Sequence, residues 1–94
     1  MTAEEIILNI AVNLGRLSRF SSEGRAKRIK QFLTDTEYYL AELEKIAVSD
    51  KFRPTLERFK LDLIRLKDLN FITPEWAEET LTWANILQHR AKLA

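Results

Sequence analysis

The amino-acid sequence predicts an all-α protein, in which residues 1–94 form a single domain folded as an antiparallel, up-down-up-down four-helix bundle. Three observations predict this fold. The chain has only two glycines and two prolines, which leaves little material for the tight turns of a β protein. Four segments repeat apolar residues at the three- and four-residue spacing of a helix. The connections between them are short, so consecutive helices are expected to run antiparallel.

The first helix is predicted over residues 3–17. Thr2 and Glu5 have the spacing of a capping box, in which each side chain accepts a hydrogen bond from the other residue's backbone N–H. One arc of the helix is apolar, and the polar line consists of Glu5, Asn9, Asn13 and Arg16. Leu8 and Val12 lie beyond the apolar arc, so both are expected to be exposed.

The second helix is predicted over residues 23–48, after a cap formed by Ser21 and Ser22. Its apolar stripe consists of Ile29, Phe32, Leu33, Thr36, Leu40, Leu43 and Ala47. Tyr38 projects opposite to this stripe. Because aromatic residues are enriched at interface hot spots, Tyr38 is a candidate contact.

The third helix begins with Pro54 in its first turn and is predicted to end near Asn70. Its buried face is predicted to contain Leu56, Phe59, Leu63 and Leu66. Leu61 and Ile64 point away from that face, toward the charged side of the helix. They are therefore surplus to a bundle that needs one apolar stripe from each helix.

The fourth helix is predicted over residues 74–92, with Thr73 as its cap and Pro74 in its first turn. Trp76 and Trp83 are a heptad apart and are expected in the core. Its polar line, which consists of Glu78, Thr82, Asn85, His89 and Lys92, is narrow, and apolar residues cover well over half of the circumference, which leaves this helix with a second apolar edge.

Composition and charge indicate the cellular location of the protein and the classes of partner that it can bind. Fifteen basic and fourteen acidic side chains give a net charge of +1, so the protein as a whole does not attract polyanions. The amino-terminal segment has glutamates where a signal peptide needs positive charge. No segment approaches the roughly 20 apolar residues of a membrane span. The cytoplasm is therefore the expected location, and no membrane partner is expected.

The sequence predicts neither catalysis nor a cofactor. Cysteine is absent and His89 is the only histidine, so no thiolate nucleophile and no thiolate-rich metal site is available. Neighbouring carboxylates such as Glu78 and Glu79 point in different directions on a helix. No glycine-rich phosphate loop is present. We therefore expect a non-enzymatic protein with no catalytic residues, no metal site, no cofactor and no small-molecule ligand.

The surplus of apolar residues predicts the leading function. Three helices carry a second apolar edge, and large apolar side chains left in water favour association. The sequence therefore predicts a protein-protein interaction module, a small helical adaptor or regulatory subunit that binds itself or a protein partner. The predicted interface residues are Leu8, Val12, Leu61, Ile64 and Tyr38.

The basic segment, residues 16–30, supports an alternative function. It carries six basic residues and one acidic residue, and the possible phosphate contacts are Arg16, Arg19, Arg25, Lys27, Arg28 and Lys30. The alternative is a nucleic-acid-associated bundle whose binding is salt-dependent and weakly sequence-selective. The charges wrap around the second helix and match no helix-turn-helix motif, so sequence-specific DNA binding is not expected.

The position of these charges opposes helix stability, because cations near a helix amino terminus face the positive end of the macrodipole. One interpretation is a solvated helix end whose cations pair with acidic residues of a neighbouring helix, such as Glu75, Glu78 and Glu79. The other interpretation is that the cations are kept for an anionic partner.

Overall fold

The computed structural model describes all 94 residues and contains four α-helices and no strand. The helices are α1 (Ala3–Ser22), α2 (Ala26–Glu44), α3 (Arg53–Lys67) and α4 (Pro74–Arg90), and a 3₁₀ turn (Ala91–Leu93) follows α4. The predicted all-α four-helix bundle is confirmed, whereas the up-down-up-down order of helix directions stays a prediction. None of the helices combines the length and the apolar character needed to cross a bilayer.

The core is built around α1, which packs closely against both α2 and α4. Its most deeply buried side chains, each at most 1% exposed, are Ile7, Ile10, Leu14 and Leu17. They belong to one cluster that includes the predicted α3 face of Leu56, Phe59, Leu63 and Leu66. Trp76 and Trp83 are buried in the same cluster, as predicted. In the predicted α2 stripe, Ala47 is exposed because α2 ends before it.

α1 is longer than predicted and ends at Ser22. The helix stops at a glycine, since Gly24 has a φ of 69°, in the left-handed region that glycine adopts without steric cost. The N–H of Gly24 donates to the carbonyl of Ser21 (3.1 Å). The N–H of Arg25 donates to the carbonyl of Phe20 (2.9 Å). These are the two hydrogen bonds of a Schellman motif, which satisfies carbonyls at a helix end.

The predicted serine cap of α2 is wrong. Ser21 and Ser22 both lie within α1, and α2 begins without a side-chain cap. Ser21 is buried, and its hydroxyl donates to the backbone carbonyl of Phe71, just before α4. Ser18, one turn earlier, donates to the carbonyl of Ala77 in α4 at 2.6 Å. The buried serines therefore hold α1 against the start of α4.

Asn13 departs from the predicted polar line of α1, because it is only 5% exposed. It shares one side of α1 with Arg16 and Phe20, which follow it at helical spacing. Both of those side chains contact Phe32 of α2, so α2 covers this side of α1. The side-chain Nδ2 of Asn13 is buried and has no hydrogen-bond partner in the protein.

The connection between α2 and α3 begins earlier than predicted, because α2 ends at Glu44. Val48, which was predicted to be helical, is buried in the connection. Next to it, the hydroxyl of Ser49 donates to the carbonyl of Leu93. The N–H of Ser49 donates to the carbonyl of Ala94 at 3.1 Å. Hydrogen bonds with the last residues of the chain thus replace the continuation of the helix.

The predicted caps of α1 and α4 are confirmed. The backbone N–H of Glu5 donates to the Thr2 hydroxyl (3.2 Å), and the Thr2 N–H donates to the Glu5 carboxylate (3.0 Å). This second hydrogen bond lowers the pKa of Glu5 below its ordinary value. At the start of α4, the Thr73 hydroxyl accepts from the N–H of Trp76 (3.1 Å). α3 and α4 both end a few residues before their predicted ends.

The two glycines are expected to respond in opposite directions to the same substitution. Gly24→Ala should lower the free energy of unfolding by about 1 kcal/mol, because an L side chain is strained at positive φ. Gly15→Ala, within α1, should raise the free energy of unfolding of the monomeric chain by up to about 1 kcal/mol through helix propensity. A Cβ at either position meets no atom within 4 Å. Urea denaturation followed by circular dichroism measures both free energies of unfolding. A similar decrease in both variants would contradict this prediction.

Candidate interaction surfaces

A shallow apolar groove of about 290 Å³ lies between α1 and α4. Three large apolar side chains line it while remaining exposed: Leu8 (37%), Val12 (52%) and Leu81 (47%). The remaining lining residues are small or uncharged: Ala11, Gly15, Ala84, Asn85 and Gln88. The lining contains no charged residue, although 31% of the chain is charged. We refer to this surface as the α1–α4 groove.

Two of the three exposed side chains in the groove were predicted from the sequence. Leu8 and Val12 are one turn apart on α1 and are therefore neighbours on its surface. Leu81 was not predicted as a contact. The sequence showed that most of the circumference of α4 is apolar, but it did not show which part of that circumference lies beside α1.

Leu61 and Ile64 lie on a different surface, because no residue of α3 lines the α1–α4 groove. They are 70% and 64% exposed. Ile64 is flanked by two lysines of α3, each paired with a glutamate of α2: Lys60 with Glu44 (2.8 Å) and Lys67 with Glu37 (2.7 Å). Hydrogen bonding to Glu44 raises the pKa of Lys60. A partner that covers this patch must therefore accommodate ion pairs at its edge.

Tyr38 also lies outside the groove. It is 61% exposed, and its ring contacts that of Tyr39 edge-on, with 5.9 Å between centroids. The five residues predicted as an interface thus occupy more than one surface. Only Leu8 and Val12 are brought together in the α1–α4 groove.

Four of the six predicted phosphate contacts gather around two aromatic rings. The ring centroids of Phe20 in α1 and Phe32 in α2 are 5.3 Å apart. Three guanidinium carbons lie near the Phe20 centroid: Arg19 at 5.2 Å, Arg25 at 5.3 Å and Arg28 at 5.9 Å. The guanidinium carbon of Arg16 lies 5.6 Å from the Phe32 centroid. We call these four arginines and two rings the arginine cluster.

The other two basic residues of the segment, Lys27 and Lys30, are exposed and make no contact of this kind. Ammonium groups on flexible stems are less suited than planar guanidinium groups to stacking on a ring. The structure therefore separates the six predicted phosphate contacts into four positioned arginines and two solvated lysines.

The predicted ion pairs between the basic segment and α4 are wrong for all three glutamates: Glu75, Glu78 and Glu79. Glu79 pairs instead with Arg65 of α3. The carboxylate that does pair with the segment is Glu23, 3.5 Å from Arg25, and both side chains are exposed. The arginine cluster is thus largely without compensating negative charge.

A larger groove of about 900 Å³ separates α3 from α4 and carries both signs of charge. Within it, Arg65 pairs with Glu79 and with Asp62 (3.8 Å). Hydrogen bonding to Glu79 raises the pKa of Arg65. Asp62 also accepts from the indole N–H of Trp83 at 2.9 Å. Because these groups bind one another, the groove presents no field of a single sign.

His89 is exposed on the predicted polar line of α4, with its Nδ1 2.8 Å from the carbonyl oxygen of Asn85. No group of three or more histidine, aspartate or glutamate side chains is arranged to hold a metal ion.

The chain matches no protein-family model, no curated protein sequence and no solved structure. The α1–α4 groove and the arginine cluster are therefore the features of this chain that bear on its function.

Proposed function

We propose that the protein is a non-enzymatic interaction module, a small helical adaptor or regulatory subunit, that forms a homodimer through the α1–α4 groove. The observation that carries this proposal is the exposure of Leu8, Val12 and Leu81 side by side on a surface without charge. Burying a large apolar side chain stabilises by roughly 1.5–3 kcal/mol relative to full exposure. Each of these side chains is partly exposed and therefore gains a fraction of that value on association.

The composition of the groove supports a second copy of the chain as its occupant. A two-fold interface brings the same patch of both subunits together, so that patch must complement itself. The α1–α4 groove combines large projecting side chains with small residues, namely Ala11, Gly15 and Ala84. Projecting side chains of one copy can therefore pack over the small residues of the other, as ridges pack into grooves between helices. The uncharged lining also avoids repulsion between identical patches.

The non-enzymatic nature and the cytoplasmic location are parts of the proposal that rest on the sequence. The chain has one histidine and no cysteine, and its neighbouring carboxylates do not share a direction on their helices.

Val12→Glu is expected to convert the homodimer into a monomer. The carboxylate would be buried without a partner at the centre of the interface, which is unfavourable by several kcal/mol. In the isolated chain Val12 is 52% exposed, so the variant should fold normally. Sedimentation velocity over a range of concentrations measures the change, against a wild-type mass of twice 11.0 kDa. Circular dichroism checks that the helices are retained.

Leu61→Glu is the matched control, because it places the same charge on an exposed leucine outside the groove. It should leave the dimer intact. A wild type that remains monomeric at its highest soluble concentration would contradict the homodimer. Dissociation by Leu61→Glu but not by Val12→Glu would move the interface to the surface of Leu61 and Ile64.

A further inference from the structure

We propose that the arginine cluster binds the phosphate backbone of single-stranded nucleic acid without reading its base sequence. This activity is additional to homodimer formation and does not depend on it, because no residue of the cluster lines the α1–α4 groove.

Most of the charge of the cluster is uncompensated, because three of its four arginines have no carboxylate partner. Several cations elsewhere pair with carboxylates: Lys45, Lys60, Arg65 and Lys67. In the cluster, only Arg25 has such a partner, at 3.5 Å and exposed to solvent. Four guanidinium groups around two adjacent rings repel one another, and this repulsion is relieved when an anion binds between them.

The aromatic rings hold the guanidinium groups in position before any ligand arrives. Phe20 is 4% exposed and belongs to the core, so its ring is fixed by packing. A guanidinium group over a ring face is attracted by the ring's quadrupole. Its N–H groups remain free to donate, and Arg16, Arg19 and Arg28 have no carboxylate partner. Positioned side chains lose less conformational freedom on binding than free ones do.

The start of α2 adds to the same positive field. Arg25 is the N-cap residue and makes no side-chain capping hydrogen bond, and the first turn contains no acidic residue. The free N–H groups of that turn therefore keep their partial positive charge. They lie within the segment that supplies Arg25 and Arg28, so they supplement the four guanidinium groups.

The chemistry of the cluster matches a chain of phosphates. Guanidinium groups form paired hydrogen bonds with phosphate oxygens. Four neighbouring guanidinium groups therefore match a ligand that carries several phosphates in succession. Phosphate contacts carry no base information. A flexible single strand can bring successive phosphates to one compact cluster, whereas the phosphates of a duplex lie on a fixed cylinder. Single-stranded nucleic acid is therefore the best fit.

An anionic membrane fits the cluster less well. Membrane-surface binding combines basic residues with apolar side chains that enter the bilayer. Around the cluster the apolar side chains are already used by the core, since Leu17 and Ile29 are both 0% exposed and Phe20 is 4% exposed.

The test is a titration of fluorescently labelled oligouridine, followed by fluorescence anisotropy at several salt concentrations. An oligomer of about 20 nucleotides exceeds typical site sizes of about 4–16 nucleotides. The wild type should bind with a Kd on the order of 10⁻⁵ M at low salt, and the affinity should fall as salt rises. Arg19→Gln/Arg28→Gln should bind at least about tenfold more weakly, with the salt slope reduced by about 1.4 for two lost phosphate contacts.

Lys51→Gln/Lys92→Gln is the matched control, because it removes the same charge from two exposed lysines outside the cluster. It should bind nearly as tightly as the wild type. Arg19→Lys/Arg28→Lys keeps the charge but loses the planar donors, so an intermediate affinity is expected. Circular dichroism melts confirm that each variant is folded. Val12→Gln disturbs the α1–α4 groove without adding a carboxylate one turn from Arg16, so it should bind oligouridine as the wild type does, which separates this activity from homodimer formation.

Three results would overturn the proposal. The first is no binding of oligouridine by the folded wild type at low salt. The second is that the lysine control loses as much affinity for oligouridine as Arg19→Gln/Arg28→Gln does, because binding would then depend on the net charge of the protein and not on the cluster. The third is tighter binding to duplex DNA or to vesicles containing phosphatidylserine than to oligouridine, which would assign the cluster to another class of partner.

Discussion

Replacing Trp76 with alanine should lower the free energy of unfolding by about 3–5 kcal/mol, a large part of the roughly 5–15 kcal/mol that stabilises a typical domain. Trp76 is 2% exposed, and its ring packs against Phe71 with 5.3 Å between centroids. Its indole N–H donates to the carbonyl of Leu66, in the last turn of α3, at 2.9 Å. The substitution therefore leaves a cavity between α3 and α4 and removes one of the hydrogen bonds to Leu66, whose carbonyl still accepts from the N–H of Leu69 at 3.3 Å.

Urea denaturation followed by far-ultraviolet circular dichroism measures this loss without relying on tryptophan fluorescence. Trp76→Phe is the control, because it keeps an aromatic ring but removes the hydrogen bond to Leu66. Its free energy of unfolding should fall by a smaller amount, about 1–2 kcal/mol, from the lost hydrogen bond and the smaller buried ring. If Trp76→Ala lost less than Trp76→Phe, the side chain would not be the core residue that joins α3 to α4.

The burial of Trp76 and of the α3 face could be predicted because it follows from helical periodicity alone. A helix that packs on one side must repeat its apolar residues every three or four positions, whatever its neighbours are. The starts of α1 and α4 could be predicted for a similar reason, since Thr2 and Thr73 bond within their own first turns. Local interactions of this kind are readable from a single sequence.

The role of Ser21 could not be predicted in the same way. Serine before a basic helical segment has the composition of a cap, but this hydroxyl donates to Phe71, fifty residues later in the chain. Whether the Ser21 hydroxyl caps α2 or bonds to Phe71 depends on how α1 packs beside α4. Gly24 was the available local signal for the end of α1, because glycine is enriched just after helix ends.

The two candidate surfaces could likewise be predicted only in part, because each combines residues from two helices. A wheel of α1 places Leu8 and Val12 outside the core, but the groove also needs Leu81 from α4. A wheel of α2 scatters its charges around the helix, and that pattern argued against a single basic face that reads DNA. The arginine cluster appears only when two helices are placed together, because α1 supplies Arg16 and Arg19 around rings from both helices.

Replacing Asn13 with leucine should raise the free energy of unfolding by about 1–2 kcal/mol. The Nδ2 group of Asn13 is buried without a hydrogen-bond partner in the protein, and an unsatisfied buried polar group costs about 1–3 kcal/mol. Leucine has similar length, adds apolar burial and has the higher helix propensity. Part of the gain is offset because the two methyl groups on a tetrahedral Cγ are bulkier than the planar amide that they replace and must fit between α1 and α2.

Asn9→Leu is the matched control for this prediction, because Asn9 lies on the same line of α1 one turn earlier. Its Nδ2 already donates to the carbonyl of Glu5 at 3.1 Å, at an exposed site. The control should therefore change stability by no more than about 0.5 kcal/mol. Asn13→Ala separates the amide from the added volume: it removes the unpaired group without overpacking and should be neutral or stabilising. If both Asn13 variants unfold at lower urea concentrations than the wild type, the amide contributes favourable interactions and its burial is not a net cost.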